Sequence, residues 1–393
     1  MSKFEKIMEL SGYSRATVSR VINRSPHVSA AARAKILAIM AELDYVPNRN
    51  AVSLSTGQTR QIGMVCSVIE EIMRDFMNGF VEVALEGGYQ TIIYTSRGDR
   101  ATELQAFEDL RSKRVDALVI VTCVNDPAVL QGYCEYGPIV SWQRMAEGGI
   151  PSVAMDQGGG YRLALEHLLA RGHTRIANIF GRKDSLNTHS RREAYEDMMS
   201  RRGLPMRREW YRYTLQAISD GERALDELGF GGQAAGSGLM RASTADNLRE
   251  ETAQVSVEEA AEGKRVGHAL NAELARAGEE RETANDMSCA NRSGQAQAAR
   301  ESGTLPSAVL CANDSIAAGI VAAARRRGIA VPGELAVVGF DNTELAAALG
   351  ITTVDNPIGP QARAAFAELA AQLAGREPVR EALAYRLVVR ETT

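Results

Sequence analysis

Long apolar runs are missing from this 393-residue chain: nowhere do about eighteen apolar residues follow one another, the least that a membrane-spanning helix needs. The N-terminus is polar and helical in pattern. It lacks the charged start, apolar stretch and small-residue cleavage site of a secretory signal, so a cytoplasmic protein is expected. Cysteine is scarce, odd in number and scattered (Cys66, Cys123, Cys134, Cys289, Cys311), never spaced as CxxC, which argues for buried free thiols and against a disulfide framework. His27, His167, His173, His189 and His268 lack ligand spacing, so neither a metal nor a cofactor is expected. There is no Walker loop, GxSxG elbow or HExxH, and Glu70-Glu71 has no partner base. GFGGQA, Gly229 to Ala234, fits a loose GxGxxA but follows a helix rather than a strand, which weakens a dinucleotide reading. Catalysis is left without a candidate.

What the chain does have is an uneven charge. Its formal net charge is −4, yet residues 1–60 carry nine Lys and Arg against four acids, so a head of +5 precedes a body of −9. A domain that neutralises phosphates needs such a head. Within it, Ser14 to Asn23 reads as one short helix with two unlike faces. At about 100° per residue, Arg15, Ala16, Ser19, Arg20 and Asn23 share one arc, and Thr17, Val18, Val21 and Ile22 share the other. Ile7 to Leu10 forms a helical piece stopped at Ser11-Gly12, and Ser14 is a helix starter. Two short helices about a glycine turn make a helix-turn-helix, the second being dimensioned for the DNA major groove. An amphipathic helix with outward arginines would also suit any small helical bundle; the charge distribution decides between them. Ser29 starts a third helix through Ile36, Met40 and Leu43, and Asn48 can cap a short fourth, Arg49 to Ser55, before the linker Thr56 to Thr59.

From Gln61 the pattern becomes strand-helix repeats: strands Ile62–Cys66, Thr91–Thr95, Asp116–Val121, Pro138–Trp142 and Ser152–Met155, with helices Asp75–Glu86 and Glu103–Lys113 between them. It restarts with helix Tyr161–Ala170, strand Arg175–Phe180, helix Arg191–Arg201, strand Ser307–Ala312, helix Ser315–Arg326 and strand Leu335–Phe340. Continuously apolar strands with helices between them imply parallel sheets covered on both faces, in two halves. One stretch stands apart. Of about 75 residues from Gly229 to Gly303, only eleven are apolar and larger than Ala, too few for a core of their own; Ala245–Glu262 and Lys264–Glu282 read as solvated helices, with no function given to them.

In open α/β sheets ligands sit beyond the carboxyl ends of strands. There the chain places Phe76, Trp142, Asp156, Asn313 and Asp341, joined by Arg191: a flat apolar platform with convergent hydrogen-bonding groups, suited to a hydroxyl-rich ligand. Asp314 reads as a structural cap for the helix that follows it.

ATVSRVIN, HVS and AELDYVPNRNAVSLSTG in the head resemble the DNA-binding head and hinge of the lac-repressor family of bacterial transcription regulators. VAMDQGGGYRLALEHLLARGHTRIANI, RREAY, VLCANDSIAAG, VPGELAVVGFDN and TTVDNPIG extend the likeness along the core, up to LVVRETT. The head departs from the family in lacking the Thr that caps its first helix and in carrying Met8 where a small Ala is usual. The resemblance implies an α/β protein: a three-helix helix-turn-helix head (residues 1–46), a hinge helix and linker (47–60), and a bilobed periplasmic-binding-protein-like core of two Rossmann-like parallel-sheet subdomains (61–393). It implies Ser14, Arg15, Ala16, Thr17, Ser19, Arg20, Asn23, Asn48, Arg49 and Leu54 as DNA contacts, Leu54 as a minor-groove wedge, and Arg191 and Asp341 as effector contacts. The expected protein is a non-enzymatic homodimeric repressor whose partners are an operator duplex and a sugar-like or purine-like effector held between the lobes. No leucine heptad for a tetramer follows the core. The rivals are a solute-binding protein on the same core, against which the basic head counts, and an enzyme on a Rossmann-like sheet, which lacks a nucleophile or cofactor loop.

Overall fold

Ser2 decides where the chain first turns helical. Its hydroxyl accepts from the Glu5 amide (3.2 Å) and the Glu5 carboxylate accepts from the Ser2 amide (2.7 Å), a reciprocal cap that starts helix α1 (Lys3–Ser11) a turn ahead of Ile7. The Thr that the family would use is thereby replaced. Gly12, at φ +72°, ends α1, and the Ser14 hydroxyl accepts from Thr17 N (3.3 Å) to start α2 (Arg15–Ile22). Ser29 does the same for α3 (Ala30–Glu42) through Ala32 N. Ile7, Val18, Val21, Ile36 and Met40 close a small core between the three helices, with Met8 packed against it. Helix α4 (Arg49–Thr56) follows.

The structure is a computed structural model and describes residues 2–23, 25–69, 71–145, 149–213, 217–230 and 304–393. They form two compact units, Met1–Asp156 with Asn356–Tyr385, and Gln157–Asp355 with Arg386–Thr393. The first holds the head and a sheet built from β1 (Gln61–Cys66), α5 (Glu71–Glu86), β2 (Gln90–Thr95), α6 (Arg100–Arg111), β3 (Ala117–Ile120), α7 (Pro127–Gln131) and β4 (Ile139–Ser141). Its strands run parallel in the order β2-β1-β3-β4. Ser152 to Met155, expected as a strand, makes only one bridge, Ser152 to Ser141.

The second unit runs through α8 (Gln157–Ala170), β5 (Ile176–Ile179), α9 (Leu186–Arg201), β6 (Tyr211–Arg212) and α10 (Ile218–Leu225). It continues with β7 (Ala308–Cys311), α11 (Asp314–Arg326), β8 (Ala336–Phe340), α12 (Glu344–Ala348) and β9 (Thr352–Asp355). Its order is β10-β9-β8-β7-β5-β6, where β10 (Arg386–Val388) alone is antiparallel. Both sheets therefore wind outward in both directions from a central pair, β1/β3 in one and β5/β7 in the other, which is the arrangement that opens a crevice at the strand ends. Strands β3 and β7 read as unbroken apolar runs because helices cover both faces.

The two units are not consecutive halves, as the repeating pattern suggested. After β9 the chain returns to the first unit, where α13 (Ile358–Leu373) packs Ala362, Ala365 and Leu369 into the cluster of Phe76 and Phe80. It then goes back to pair β10 with β9. Of the stretch Gly229 to Gly303, only Gly229 and Phe230 are described; the helices expected at 245–262 and 264–282 lie outside the described residues. No described helix is long and apolar enough to cross a membrane.

Candidate functional site

On α2 the two faces separate as their spacing requires. Val18 and Val21 are buried, Ile22 and Thr17 half-buried, and Ser14, Arg15, Ala16 and Arg20 exposed. Thr17 turns its hydroxyl to Ser14 Oγ (3.1 Å), so both take part in the cap. The Arg15 guanidinium lies over the Phe4 ring at 5.5 Å, a resting place that an incoming base edge can compete for. Half-buried Asn23 is spent differently: its side-chain amide donates to Ser19 Oγ (3.4 Å) and to Ser55 Oγ (3.1 Å), tying the end of α2 to α4. On α4, which Asn48 precedes and Arg49 opens, Leu54 is 91% exposed, the most exposed large apolar side chain of the described chain.

The first unit brings Phe76 and Trp142 together. Their rings stack at 4.6 Å and 17°, and Phe80 stacks on Phe76 in turn at 6.2 Å. Phe76 is fully buried, so it backs half-buried Trp142 and presents no surface of its own. The indole N–H is held by Gln361 Oε1 (2.8 Å), whose amide donates to Asn356 Oδ1 (2.7 Å); α13 thus fixes the platform. Exposed Asp156 stands 3.9 Å from the Arg144 guanidinium, a loose pair.

The second unit assembles its residues at the carboxyl ends of β5, β7 and β8. Arg191, buried on α9, donates through Nε (3.0 Å) and Nη2 (2.6 Å) to Gln157 Oε1 and through Nη1 (2.7 Å) to the Ala312 carbonyl, while its plane lies 3.9 Å from the Phe340 ring centroid. Three N–H bonds and a stacked face hold the fork immobile, and a guanidinium has two further N–H groups to offer. Beyond Phe340, Asp341 sits at φ +103° and Asn342 at φ +55°, left-handed conformations that residues with a Cβ adopt at a cost. Asp341 N donates to Val354 O (2.8 Å), and Asn342 Oδ1 accepts from Arg390 Nη2 (2.7 Å). The strand end is held in this turned-out shape from both sides.

Asn313 acts as the N-cap of α11, its Oδ1 accepting from Ile316 N (2.9 Å). That corrects the cap role expected of Asp314. The buried Asp314 carboxylate instead accepts from Thr343 N (2.7 Å), Thr343 Oγ1 (3.1 Å) and Thr353 Oγ1 (2.6 Å). Burial pushes its carboxyl up, and these hydrogen bonds oppose the shift. A side chain on Gly339 would land on Asp314 Oδ1, so glycine is needed in β8 to let the carboxylate in.

Near the end of β5, Arg182, Lys183, Asp184, His189 and Arg192 line an open depression of about 550 Å³. The free thiols of Cys66, Cys123, Cys134 and Cys311 are all pushed up by burial, Cys123 to about 11, which leaves them poor nucleophiles. Sequence reasoning missed Gln157, Gln361 and Phe340. Each matters through a partner far along the chain, which the motifs around Gln157 and Phe340 do not name.

Comparison with known proteins covers most of the chain. Residues 5–48 match the family model described as bacterial regulatory proteins, lacI family. Residues 70–229 match periplasmic binding proteins and sugar binding domain of LacI family, and residues 238–393 match a periplasmic binding protein-like domain. The ribose operon repressor of Escherichia coli (strain K12) is 26% identical over 363 residues, 91% of this chain and 88% of that one. An uncharacterized HTH-type transcriptional regulator of Bacillus subtilis (strain 168), YkvZ, is 26% identical over 394 residues, the whole of both chains. Among solved structures, the lac repressor dimer bound to operator and the anti-inducer ONPF has a TM-score of 0.71 at 22% identity, covering 100% of this chain and 98% of that one.

Proposed function

Since this chain belongs to the lacI family of bacterial regulatory proteins, DNA-binding transcriptional regulators with an effector-binding core and not enzymes, we propose that it is a dimeric repressor. A sugar-like effector taken up by the core controls its hold on an operator. The observation that carries this reading is the division of labour on α2, whose apolar arc closes the head while Arg15, Ala16 and Arg20 stand exposed on a basic domain. Arg15, Ala16 and Arg20 read base edges, and Ser14, Thr17, Ser19 and Asn23 set the register of the helix on the backbone. Asn48, Arg49 and Leu54 belong to a hinge that meets the minor groove, where an apolar side chain inserted between base pairs bends the duplex. Each unit by itself offers effector contacts at its strand ends, Trp142 and Asp156 on the first and Arg191, Asn313 and Asp341 on the second, an aromatic platform and an immobilised guanidinium being what hydroxyl groups require. Val81 and Leu85, exposed one turn apart on α5, with exposed Ile93 on edge strand β2, support a second copy as partner.

Gel-shift on duplexes that the purified protein enriches from a random pool tests the reading. Arg15→Ala is expected to lose about 1–3 kcal/mol on the enriched duplex with little change on random DNA; equal losses on both make Arg15 a phosphate contact. Leu54→Ala is expected to reduce DNA bending in a permuted-fragment gel and to leave thermal stability unchanged. Wild-type bending by that variant removes the wedge.

A further inference from the structure

The chain enters the core through three residues held unusually firmly. Asp116, half-buried just before β3, accepts at Oδ1 from Thr59 N (2.8 Å) and Thr59 Oγ1 (2.9 Å) and at Oδ2 from Arg60 N (2.8 Å). Thr59 Oγ1 accepts in turn from Gln61 N (3.2 Å), the Arg60 carbonyl from Gln90 N (2.9 Å), and the Gln61 carbonyl from Asp116 N (2.8 Å). Arg60 is left-handed at φ +57° and lays its guanidinium 5.1 Å from the Tyr89 ring centroid. Residues 59–61 are thus fastened to the starts of β2 and β3 as well as leading into β1. On the other side, Gly57 N donates to Ser53 O (2.8 Å) and Gln58 N to Thr56 Oγ1 (3.3 Å), so Gly57 and Gln58 are fastened to the end of α4. Only the link from Gln58 to Thr59 lies between the two fastened blocks.

We propose that Asp116 is the positioning residue through which the core sets the hinge helix: its carboxylate clamp on Thr59 and Arg60 carries a displacement of the β1/β3 strand starts into α4 with a single peptide link of slack. A loose linker would let the core change shape without the hinge feeling it; a clamped one cannot. The inference rests on the proposed function, since it needs a hinge whose placement governs operator binding. Thermal stability alone does not reveal such a role, because Asp116 also stands at the mouth of β3.

The test uses the full chain and the duplex enriched by the wild-type protein. In Asp116→Ala, amide exchange at Thr59 and Arg60 is expected to rise, and affinity for the enriched duplex to fall about tenfold or more, the loss of one charge-assisted hydrogen bond or more. Affinity for random duplex stays unchanged, whatever the core loses in melting temperature. Asp116→Asn keeps an acceptor for Thr59 and loses the one for Arg60, so it falls between the two. Equal affinity of Asp116→Ala and wild type for the enriched duplex overturns the inference, as does an equal loss on random DNA. Should Asp116→Ala fail to fold, Thr59→Val removes one clamp bond from the linker side, and unchanged exchange at Arg60 with unchanged enriched-duplex affinity overturns it equally. If the wild-type protein enriches no duplex, the proposed function itself has failed, a result distinct from a variant that behaves as wild type.

Discussion

Arg191 is the residue on which the second unit's chemistry turns, and its partners decide how it can be tested. Replacing it by alanine would strand Gln157 Oε1 and the Ala312 carbonyl as well as remove the proposed effector contact, so stability and affinity are expected to fall together. Arg191→Lys keeps the charge and loses the fork; it is expected to destabilise the fold by about 1–3 kcal/mol, read by denaturant unfolding. Asp341→Asn is the cleaner probe of binding. It is expected to leave unfolding nearly unchanged and to weaken a calorimetrically identified sugar effector by roughly 1.5–3 kcal/mol; unchanged affinity takes Asp341 out of the site. Arg191 and Asp341 could be picked from the sequence because each stands in a motif, RREAY or GFDN. Gln157 could not, since it lies 34 positions from the arginine it holds and is one polar residue among many until two helices meet.

Helices α10 and α11 approach closely because glycines face each other. A Cβ on Gly319 would overlap the Ile218 carbonyl, and one on Gly221 would fall on the α11 backbone, so neither backbone could stay where it is. Gly319→Ala is expected to cost about 1–3 kcal/mol or more through forced separation of the helices, whereas Gly328→Ala, at φ +68° with open space around it, pays only a conformational cost of about 1 kcal/mol. Denaturant midpoints compare the two. Strands were the readable elements, since buried parallel strands must be continuous apolar runs. Helix starts lie ahead of the periodicity in α6 and α8, whose first turns, Arg100 to Glu103 and Gln157 to Gly160, are polar or glycine-rich, so apolar spacing begins only after them. Ser152 to Met155 is a short apolar run yet pairs at one residue, as strand length depends on a neighbour the local sequence does not name.

For the molecule as a whole, two properties follow from charge and burial. His167, whose Nε2 lies 2.8 Å from Thr393 Oγ1, and His173, whose Nδ1 lies 3.2 Å from Ser307 Oγ, are both held below the ordinary histidine value of 6.5, first by burial and then by neighbouring cations. Once the pH falls below 6.5 the unfolded chain binds protons that the folded one refuses, so stability is full above 6.5 and drains away as the pH drops toward the lowered values. Thermal melting between pH 7.5 and 5.5 is expected to show the decline, and His173→Gln to flatten it. Head and body also separate by charge, so operator affinity is expected to fall steeply with salt while effector affinity barely moves.

The return of the chain to the first unit has a consequence for synthesis. On the ribosome the head is complete early, but the lobe behind it lacks α13 until residue 373 has been made, about 220 residues after Asp156. At about 5–20 residues per second that wait is on the order of 10–40 s, during which Phe76 and Phe80 lack the helix that covers them. A nascent chain would therefore carry a finished DNA reader on an unfinished body, and neither lobe can be cut out as one continuous fragment. Truncations ending before α13 are expected to keep the head folded and to need a chaperone for the rest.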